Sequence, residues 1–413
     1  MATRRNSIDS GSLAFAERFA ATRALTLDLA APLSDADSTI QPFADASPAK
    51  WHLAHTSWFF ETFVLRDHAP GYRPFDERFA YLFNSYYEGE GPRHPRPRRG
   101  MLSRPSLDDI RAYRAHVDES LLAALPSLPP AALDLVELGI NHEQQHQELF
   151  LTDILATFAQ NPLEPAYGEL GRGACHAPEP LAFFDGRTGP VEIGARGDGF
   201  AFDCERPRHS VILHPHAIAN RPVTNGEWRQ FMADGGYDTP TLWLSDGWDW
   251  ARREEIRSPG YWREDGTQFT LGGRREIDWA APVAHVSYFE ADAFARWAGA
   301  RLPAEAEWED FASSADPNLG NQLDGAGAVV PGPPGDIFGD VWEWTRSAFA
   351  PYPGFAPASG AVGEYNGKFM CSQFVLKGAS CATPRGHSRA SYRNFFPPHA
   401  RWQFTGLRLA RDC

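Results

Sequence analysis

The chain changes grammar near its middle, and that change limits the fold more than any single residue does. Residues 11 to about 160 hold four stretches with apolar residues at helical spacing: "SLAFAERFAATRALTLDLA", "SPAKWHLAHTSWFFETFVL", "SLDDIRAYRAHVDESLLAAL" and "AALDLVELGINHEQQHQELFLTDILATFAQ". Ser47 is expected as N-cap of the second stretch, with Pro48 at its first helical position. Ser106 and Asp109 stand in the order of a capping box for the third. Four helices of roughly 18 to 30 residues predict an all-α bundle, which can place ligands on facing helices. A connection of about 40 residues, including "YEGEGPRHPRPRRGMLSRPS", joins the second and third, and loops of that length are usually functional or disordered.

From Asn161 to about Gly199 the composition shifts to Pro and Gly, as in "NPLEPAYGELGRG". The expected organisation is a bundle over 11–165, a linker over 166–190 and a second domain over 191–413. The second half has strand-like runs ("HSVILHPHAI", "QFVLKGAS", "TGLRLA"), two short helices ("NGEWRQFMA", "FEADAFARWAGA") and much irregular chain, an α+β pattern. No internal repeat is visible.

Composition narrows the function. With 43% hydrophobic and 22% charged residues the chain should be globular. A formal charge of −14 argues against a nucleic-acid surface. The 13 Trp and 28 Phe point to aromatic cores and an aromatic-walled pocket. Cys175, Cys204, Cys371, Cys381 and Cys413 form no CxxC pair and are odd in number, as expected of free thiols in a reducing compartment. "MATRRNSIDSGSLAF" has no apolar signal core, and no run reaches the ~18 apolar residues of a membrane span. A cytoplasmic protein without a membrane partner is the expectation.

Within "NHEQQHQE", His142 and His146 lie four apart, so both imidazoles project from one helix face. They read either as two polar residues on a solvated face or as a metal-binding pair. The second helix carries His52 and His55 among Trp51, Trp58, Phe59 and Phe60, and one of these could complete a three-histidine set across the bundle. Glu148 lies about 200° round the helix from His146, which makes it second in line or structural rather than a ligand. Three imidazoles with no carboxylate would leave a divalent metal its full charge. That favours a substrate thiolate and leaves positions for a second substrate and O2.

The segments "LAHTSWFFE", "FNSYYEGEGPRHPRPRRGMLSRP", "NHEQQHQE" and "YRNFFPPHARWQFTGLRLA" resemble the sulfoxide synthases of ergothioneine biosynthesis, the hercynine oxygenases. The second half separately resembles the formylglycine-generating-enzyme (sulfatase-modifying factor) fold, which is C-type-lectin-like. Its marks are "NRPVTNGEWRQF", "PVAHVSYFEADAFARWAGARLPAEAEWE", "GDVWEWT" and "VLKGAS". The first half resembles a DinB-like four-helix bundle. The resemblance implies an enzyme that uses Fe(II) and O2 to join a cysteine-type thiol to C2 of the imidazole of trimethylhistidine (hercynine), leaving a sulfoxide. It implies iron ligands at His55, His142 and His146, with His55 chosen over His52 by the match to "LAH". The formylglycine-generating enzymes carry a close cysteine pair that binds copper. Here Thr383 and Ser388 stand roughly in its place, so the fold is expected to serve substrate binding.

The same resemblance implies further roles. Tyr86 and Tyr87 act at the metal as proton and electron donors, or else pack the loop onto the bundle. Gln145 and Asn394 help hold hercynine. Phe395 and Phe396 either face its quaternary ammonium, where cation–π contact is worth about 0.5–2 kcal/mol per ring, or belong to the core. Phe396 and Ala400 stand where users of γ-glutamylcysteine carry Asp and Arg, which favours free cysteine as thiol donor. Among Arg93, Arg96, Arg98 and Arg99, Arg96 is the first choice for the cysteine carboxylate. The alternatives are γ-glutamylcysteine as donor, an ovothiol-type synthase acting on histidine, a zinc-dependent DinB-like thiol transferase, and a non-enzymatic binding module.

Overall fold

The computed structural model describes residues 2–170, 177–197, 199–333 and 335–413, with side chains from residue 15 onward. Cys175 therefore lies outside the described residues. Cys204 and Cys381 are buried, whereas Cys371 and Cys413 are exposed. The chain divides into two compact units. The first comprises residues 1–161 together with 325–327 and 358–365, and the second comprises the remainder.

The first unit is built on four long helices: α1 (Ala2–Ala30), α2 (Ala49–Phe60), α3 (Leu107–Ala124) and α4 (Pro130–Ala159). Helix α2 packs on α3 and α4, and α1 packs on α4. Every residue of α2 is buried, so it is the central helix rather than an amphipathic surface one. It continues through a π-helical turn, Glu61–Leu65, into Arg66–His68. Ser47 does not cap α2. The N-cap position is Pro48, and Ser47 is committed elsewhere: its N–H donates to Asp153 (2.8 Å) and its hydroxyl accepts from Arg99 (2.9 Å). The capping box of α3 does form, with Asp109 N–H on Ser106 Oγ (3.2 Å) and Ser106 N–H on Asp109 Oδ2 (2.9 Å).

The rotation of α4 is set by a buried charge cluster. Glu143, fully buried, accepts from Arg23 Nη1 (2.8 Å), Thr26 Oγ1 (2.6 Å) and Arg114 Nη2 (2.8 Å), which ties α1 and α3 to α4. Burial pushes the Glu143 carboxyl up. The guanidiniums of Arg23 and Arg114 outweigh that and bring it down to about 2. With Glu143 turned toward α1 and α3, the neighbouring His142 turns toward α2. Close approach of α2 and α4 needs Gly139, because a Cβ there would lie 2.3 Å from Phe60 Cε1.

The second unit holds eleven short strands and four helices among its described residues. A three-stranded antiparallel sheet has Phe183–Asp185 (β1) and Arg408–Asp412 (β11) on either side of His216–Pro222 (β4). A four-stranded sheet runs in the order Thr405–Gly406 (β10), Trp342–Ala348 (β7), Phe374–Lys377 (β8), Asn394–Phe396 (β9), with β10 parallel to β7. Two hairpins, Gly189–Ile193 with His209–Leu213 and Thr267–Thr270 with Gly273–Glu276, complete the strands. Helices Asn225–Ala233 and Tyr288–Trp297 match the two expected, and Ser245–Arg253 and Glu305–Ala312 add two more. The expected linker is not free chain where it is described. Tyr167 and Gly168 donate to the Leu271 carbonyl, and Phe183–Asp185 is a paired strand. No described helix is long and apolar enough to cross a membrane.

Candidate metal centre

Helix α2 brings His55 and helix α4 brings His142 and His146 to one point in the first unit. One ligand atom from each lies within 4.8 Å of the others. Among the described residues this is the one group of three or more His, Cys, Asp or Glu side chains that could hold a metal ion.

Hydrogen bonding fixes part of the tautomer pattern. His55 Nδ1 lies 2.7 Å from the Phe83 carbonyl, which can only accept, so Nδ1 carries the proton and Nε2 keeps its lone pair. That Nε2 is buried with no partner, and both ring nitrogens of His142 are in the same state. Unpaired buried nitrogens cost about 1–3 kcal/mol each, and a metal ion would satisfy His55 Nε2 and one nitrogen of His142 together. Burial, then the neighbouring His142, holds His55 well below the usual imidazole range, although the Phe83 carbonyl opposes the shift. Burial lowers His142 to about 3, and burial followed by His142, His55 and His52 holds His146 well below the usual range. All three are neutral near pH 7, the form that ligates a metal. The residues present fit a divalent ion.

His52 is not a fourth member of the group. Both its nitrogens are engaged, Nδ1 with His146 Nδ1 (2.8 Å) and Nε2 with Asp153 Oδ2 (3.0 Å). Of the two histidines that helix spacing leaves open, this geometry groups His55 with His142 and His146 and gives His52 other partners. The His55 ring lies between two indoles, Trp51 at 4.6 Å and 14° and Trp58 at 5.5 Å and 17°. The Arg99 guanidinium covers the outer face of Trp51 at 3.3 Å.

The tyrosine pair lies in the same unit. Tyr87 is fully buried, stacked on Tyr86 (4.6 Å) and set against Trp58 (5.4 Å) and Phe63 (5.1 Å). Burial, then the phenols of Tyr86 and Tyr365, pushes its hydroxyl well above the usual range, so it stays protonated. Tyr365 is a third phenol that sequence reasoning missed. Its ring lies 5.5 Å from that of His142, and its hydroxyl donates to Gln145 Oε1, 220 positions earlier in the chain. Glu364 anchors it by accepting the N–H groups of Glu88 (3.0 Å) and Gly89 (2.8 Å). No periodicity in "GEYNGKF" marks this tyrosine.

The remaining expected residues have local settings of their own. Arg96 is exposed and donates to the Asp45 carbonyl, and Arg93 pairs with Glu88. Asn394, Phe395 and Phe396 form β9 of the second unit. Phe395 is stacked on Phe349 (4.0 Å, 11°), Phe396 is half-buried beside Trp402 (5.7 Å), and Asn394 Oδ1 accepts the Phe395 N–H.

Two families match along the chain: the DinB superfamily over residues 18–150, and the sulfatase-modifying factor enzyme 1-like domain over residues 187–325 and 335–413. Relatives match along nearly the whole chain. The hercynine oxygenase of Mycolicibacterium smegmatis is 34% identical over 427 residues, which span 96% of this chain and 98% of that protein. That of Mycobacterium tuberculosis is 35% identical, spanning 95% and 97%. That of Mycolicibacterium thermoresistibile is 34% identical, spanning 89% and 87%.

Proposed function

Because the chain belongs to the hercynine oxygenase family, we propose that it uses Fe(II) and O2 to join the thiol of free cysteine to imidazole C2 of hercynine. At the coarser level it is an oxidoreductase, a sulfoxide synthase of ergothioneine biosynthesis. The finer reading rests on one observation: three neutral imidazoles converge, those of His55 and His142 buried and that of His146 half-buried, and no carboxylate joins them.

His55, His142 and His146 would hold the metal. Fe(II) bound there supplies O2 activation and a seat for a thiolate. One thiol, one imidazole C2–H and one O2 become one sulfoxide and one water, so the protons from sulfur and carbon end in water. The phenols of Tyr86, Tyr87 and Tyr365 are the proton-holding groups beside the trio, and an O–H that burial keeps protonated can give its proton during the reaction. Gln145, already oriented by Tyr365, and Asn394 are assigned to hercynine. Its quaternary ammonium has no N–H, so an aromatic face must recognise it. Phe395 is committed to a stack with Phe349, which makes Phe396 the first ring to test. Arg96, held only by a backbone carbonyl, takes the cysteine carboxylate. Phe396 and buried Ala400 offer no polar handle for a glutamyl arm, which supports cysteine over γ-glutamylcysteine.

The test is anaerobic reconstitution with Fe(II), then addition of O2, cysteine and hercynine, read by mass spectrometry. The sulfoxide is expected with Fe(II) and O2 and not with Zn(II). A zinc-loaded protein active without O2 would overturn the reading. Competition between cysteine and γ-glutamylcysteine decides the donor, and a clear advantage for the dipeptide reverses it. Tyr87→Phe and Tyr365→Phe are expected to keep metal and substrates bound while diverting thiol to sulfinic acid. Unchanged sulfoxide yield in both, and in Tyr86→Phe, removes the phenols from the mechanism.

A further inference from the structure

Behind one of the three histidines stands a second row of polar groups. His146 Nδ1 meets His52 Nδ1 at 2.8 Å, and His52 Nε2 meets Asp153 Oδ2 at 3.0 Å. The same carboxylate oxygen accepts the Ser47 N–H at 2.8 Å, which fixes Asp153 from the chain just before α2. His52 and Asp153 are 3% and 4% exposed, so water does not compete for these bonds.

The direction of this chain of bonds follows from what each atom can do. A carboxylate accepts, so His52 Nε2 carries the proton. In a neutral imidazole the other nitrogen, Nδ1, is then an acceptor. The proton between the two rings therefore sits on His146 Nδ1, and the lone pair of His146 is on Nε2. The reverse arrangement would point an N–H of His146 into the metal position. His55 reaches the same pattern by a shorter route, through the Phe83 carbonyl. A backbone carbonyl is a neutral acceptor, whereas Asp153 is a charged one. Two hydrogen bonds away from a trio with no anionic member, it can pull the His146 Nδ1 proton outward and make Nε2 a stronger donor.

We propose that Asp153 and His52 are positioning residues, an outer relay that selects the ligating nitrogen of His146 and lends it carboxylate charge. This rests on the metal reading of the three histidines and goes one layer beyond it. In this view His52 is fixed in the α2 sequence "WHLAH" because two histidines one turn apart must point at different partners, one at the metal and one at a metal ligand.

The experiment is Co(II) titration of the full-length protein, followed by visible absorption and paired with thermal melting of the metal-free form. Wild type is measured first. If it binds no Co(II), the metal reading itself fails, independently of the relay. Asp153→Asn keeps one oxygen that can accept from both Ser47 and His52, removes the charge and turns the second oxygen into an NH2 donor, and His52→Leu cuts the link. Each is expected to weaken Co(II) binding about 10–100-fold and to shift the visible bands of the bound ion. The double variant should bind no more weakly than His52→Leu alone, since the two groups act in series. Wild-type affinity and bands in both variants would overturn the proposal, as would losses that simply add. If His52→Leu does not fold, Asp153→Asn alone decides. Ring-nitrogen NMR shifts of His146 in the metal-free wild type give a reading without metal. A proton on Nδ1 is expected, and a proton on Nε2 would sink the relay.

Discussion

Both units bury charged and polar side chains, but they finish them differently. Among the described residues of the second unit the deeply buried charges are closed into pairs, Asp340 excepted. Arg408 and Glu343, both at most 1% exposed, meet at 2.8 Å, and Glu343 also accepts Trp308 Nε1 at 2.6 Å. Arg393 meets Glu305 at 2.6 Å, and Lys377 meets Glu309 at 3.1 Å. Among the described residues the bundle has such a closed cluster at Glu143 and, directly beside it, a histidine trio in which His55 Nε2 and both His142 nitrogens meet nothing in the chain. Unpaired atoms occur in the second unit too, His285 Nδ1 and the Gln403 amide among them, but they join no group of ligating side chains among the described residues. A folded chain tolerates several unsatisfied nitrogens at one point when a ligand completes them. Convergence, not burial alone, separates a site from a core.

The widest test of this contrast is to open a closed cluster in each unit. Glu143→Ala leaves Arg23 and Arg114 buried without their carboxylate, and Glu343→Ala does the same to Arg408. Each should cost about 3–5 kcal/mol in urea unfolding. A loss under about 1 kcal/mol at Glu143 would mean that its cluster does not hold the rotation of α4.

Among the described residues of the second unit, Asp340 is the buried carboxyl that lacks a cation in its immediate shell. Its Oδ1 accepts only from Asn321 Nδ2 (2.7 Å) and the Gly332 N–H (2.9 Å), and burial pushes it up to about 6. An acid raised in the folded state stabilises it while protonated. That contribution is full below the unfolded value near 3.8 and is lost as pH rises through about 6. Between pH 4 and pH 7 wild type should lose on the order of 2–3 kcal/mol from this group. Asp340→Asn should not, and Asn tolerates the positive φ of 60° there. Parallel stability curves for the two proteins across that range would refute the assignment.

Gly139→Ala tests how tightly α2 and α4 must meet. Helix propensity favours Ala by about 1 kcal/mol, but the new Cβ would lie 2.3 Å from the Phe60 ring. Overpacking of about 1–3 kcal/mol should win. The net loss expected is about 1–2 kcal/mol, with weaker Co(II) binding because the helices that carry the histidines are pushed apart. A stabilised variant with unchanged metal affinity would show that this crossing is looser than it looks.

How much of this could be read from the residues differs between the units for the same physical reason. The bundle closes its contacts within a few turns, so apolar spacing reveals four helices and the four-residue interval pairs His142 with His146. The third histidine of the trio was not legible by spacing, because His52 and His55 share one helix. What separates them is which nitrogens are already bonded, a fact of tertiary structure. Ser47 resembles a cap locally and was drawn away by Asp153 and Arg99. Tyr365 was invisible, since its partners lie some 220 positions earlier. In the second unit the strand signal is weak because charged residues face inward. Glu343 sits in a central strand only because Arg408, 65 residues on, meets it there.

The smallest effect expected is the most telling, because its sign is opposite to the usual one. His142→Leu replaces a 2% exposed imidazole whose two nitrogens lack partners with an apolar side chain of similar bulk. Core substitutions usually destabilise. Here the wild-type residue carries a desolvation penalty with no compensating bond, and Phe59, 4.8 Å away, offers an apolar neighbour. Metal-free His142→Leu should therefore melt later than metal-free wild type, by about 1–2 kcal/mol at 25 °C, and should bind Co(II) at least 100-fold more weakly. Replacing Glu343 by Leu in the second unit should do the reverse and destabilise, since it strands Arg408 and Trp308. If His142→Leu instead loses stability without metal, the imidazole has a partner within the chain after all, and the contrast between an open trio and closed pairs fails.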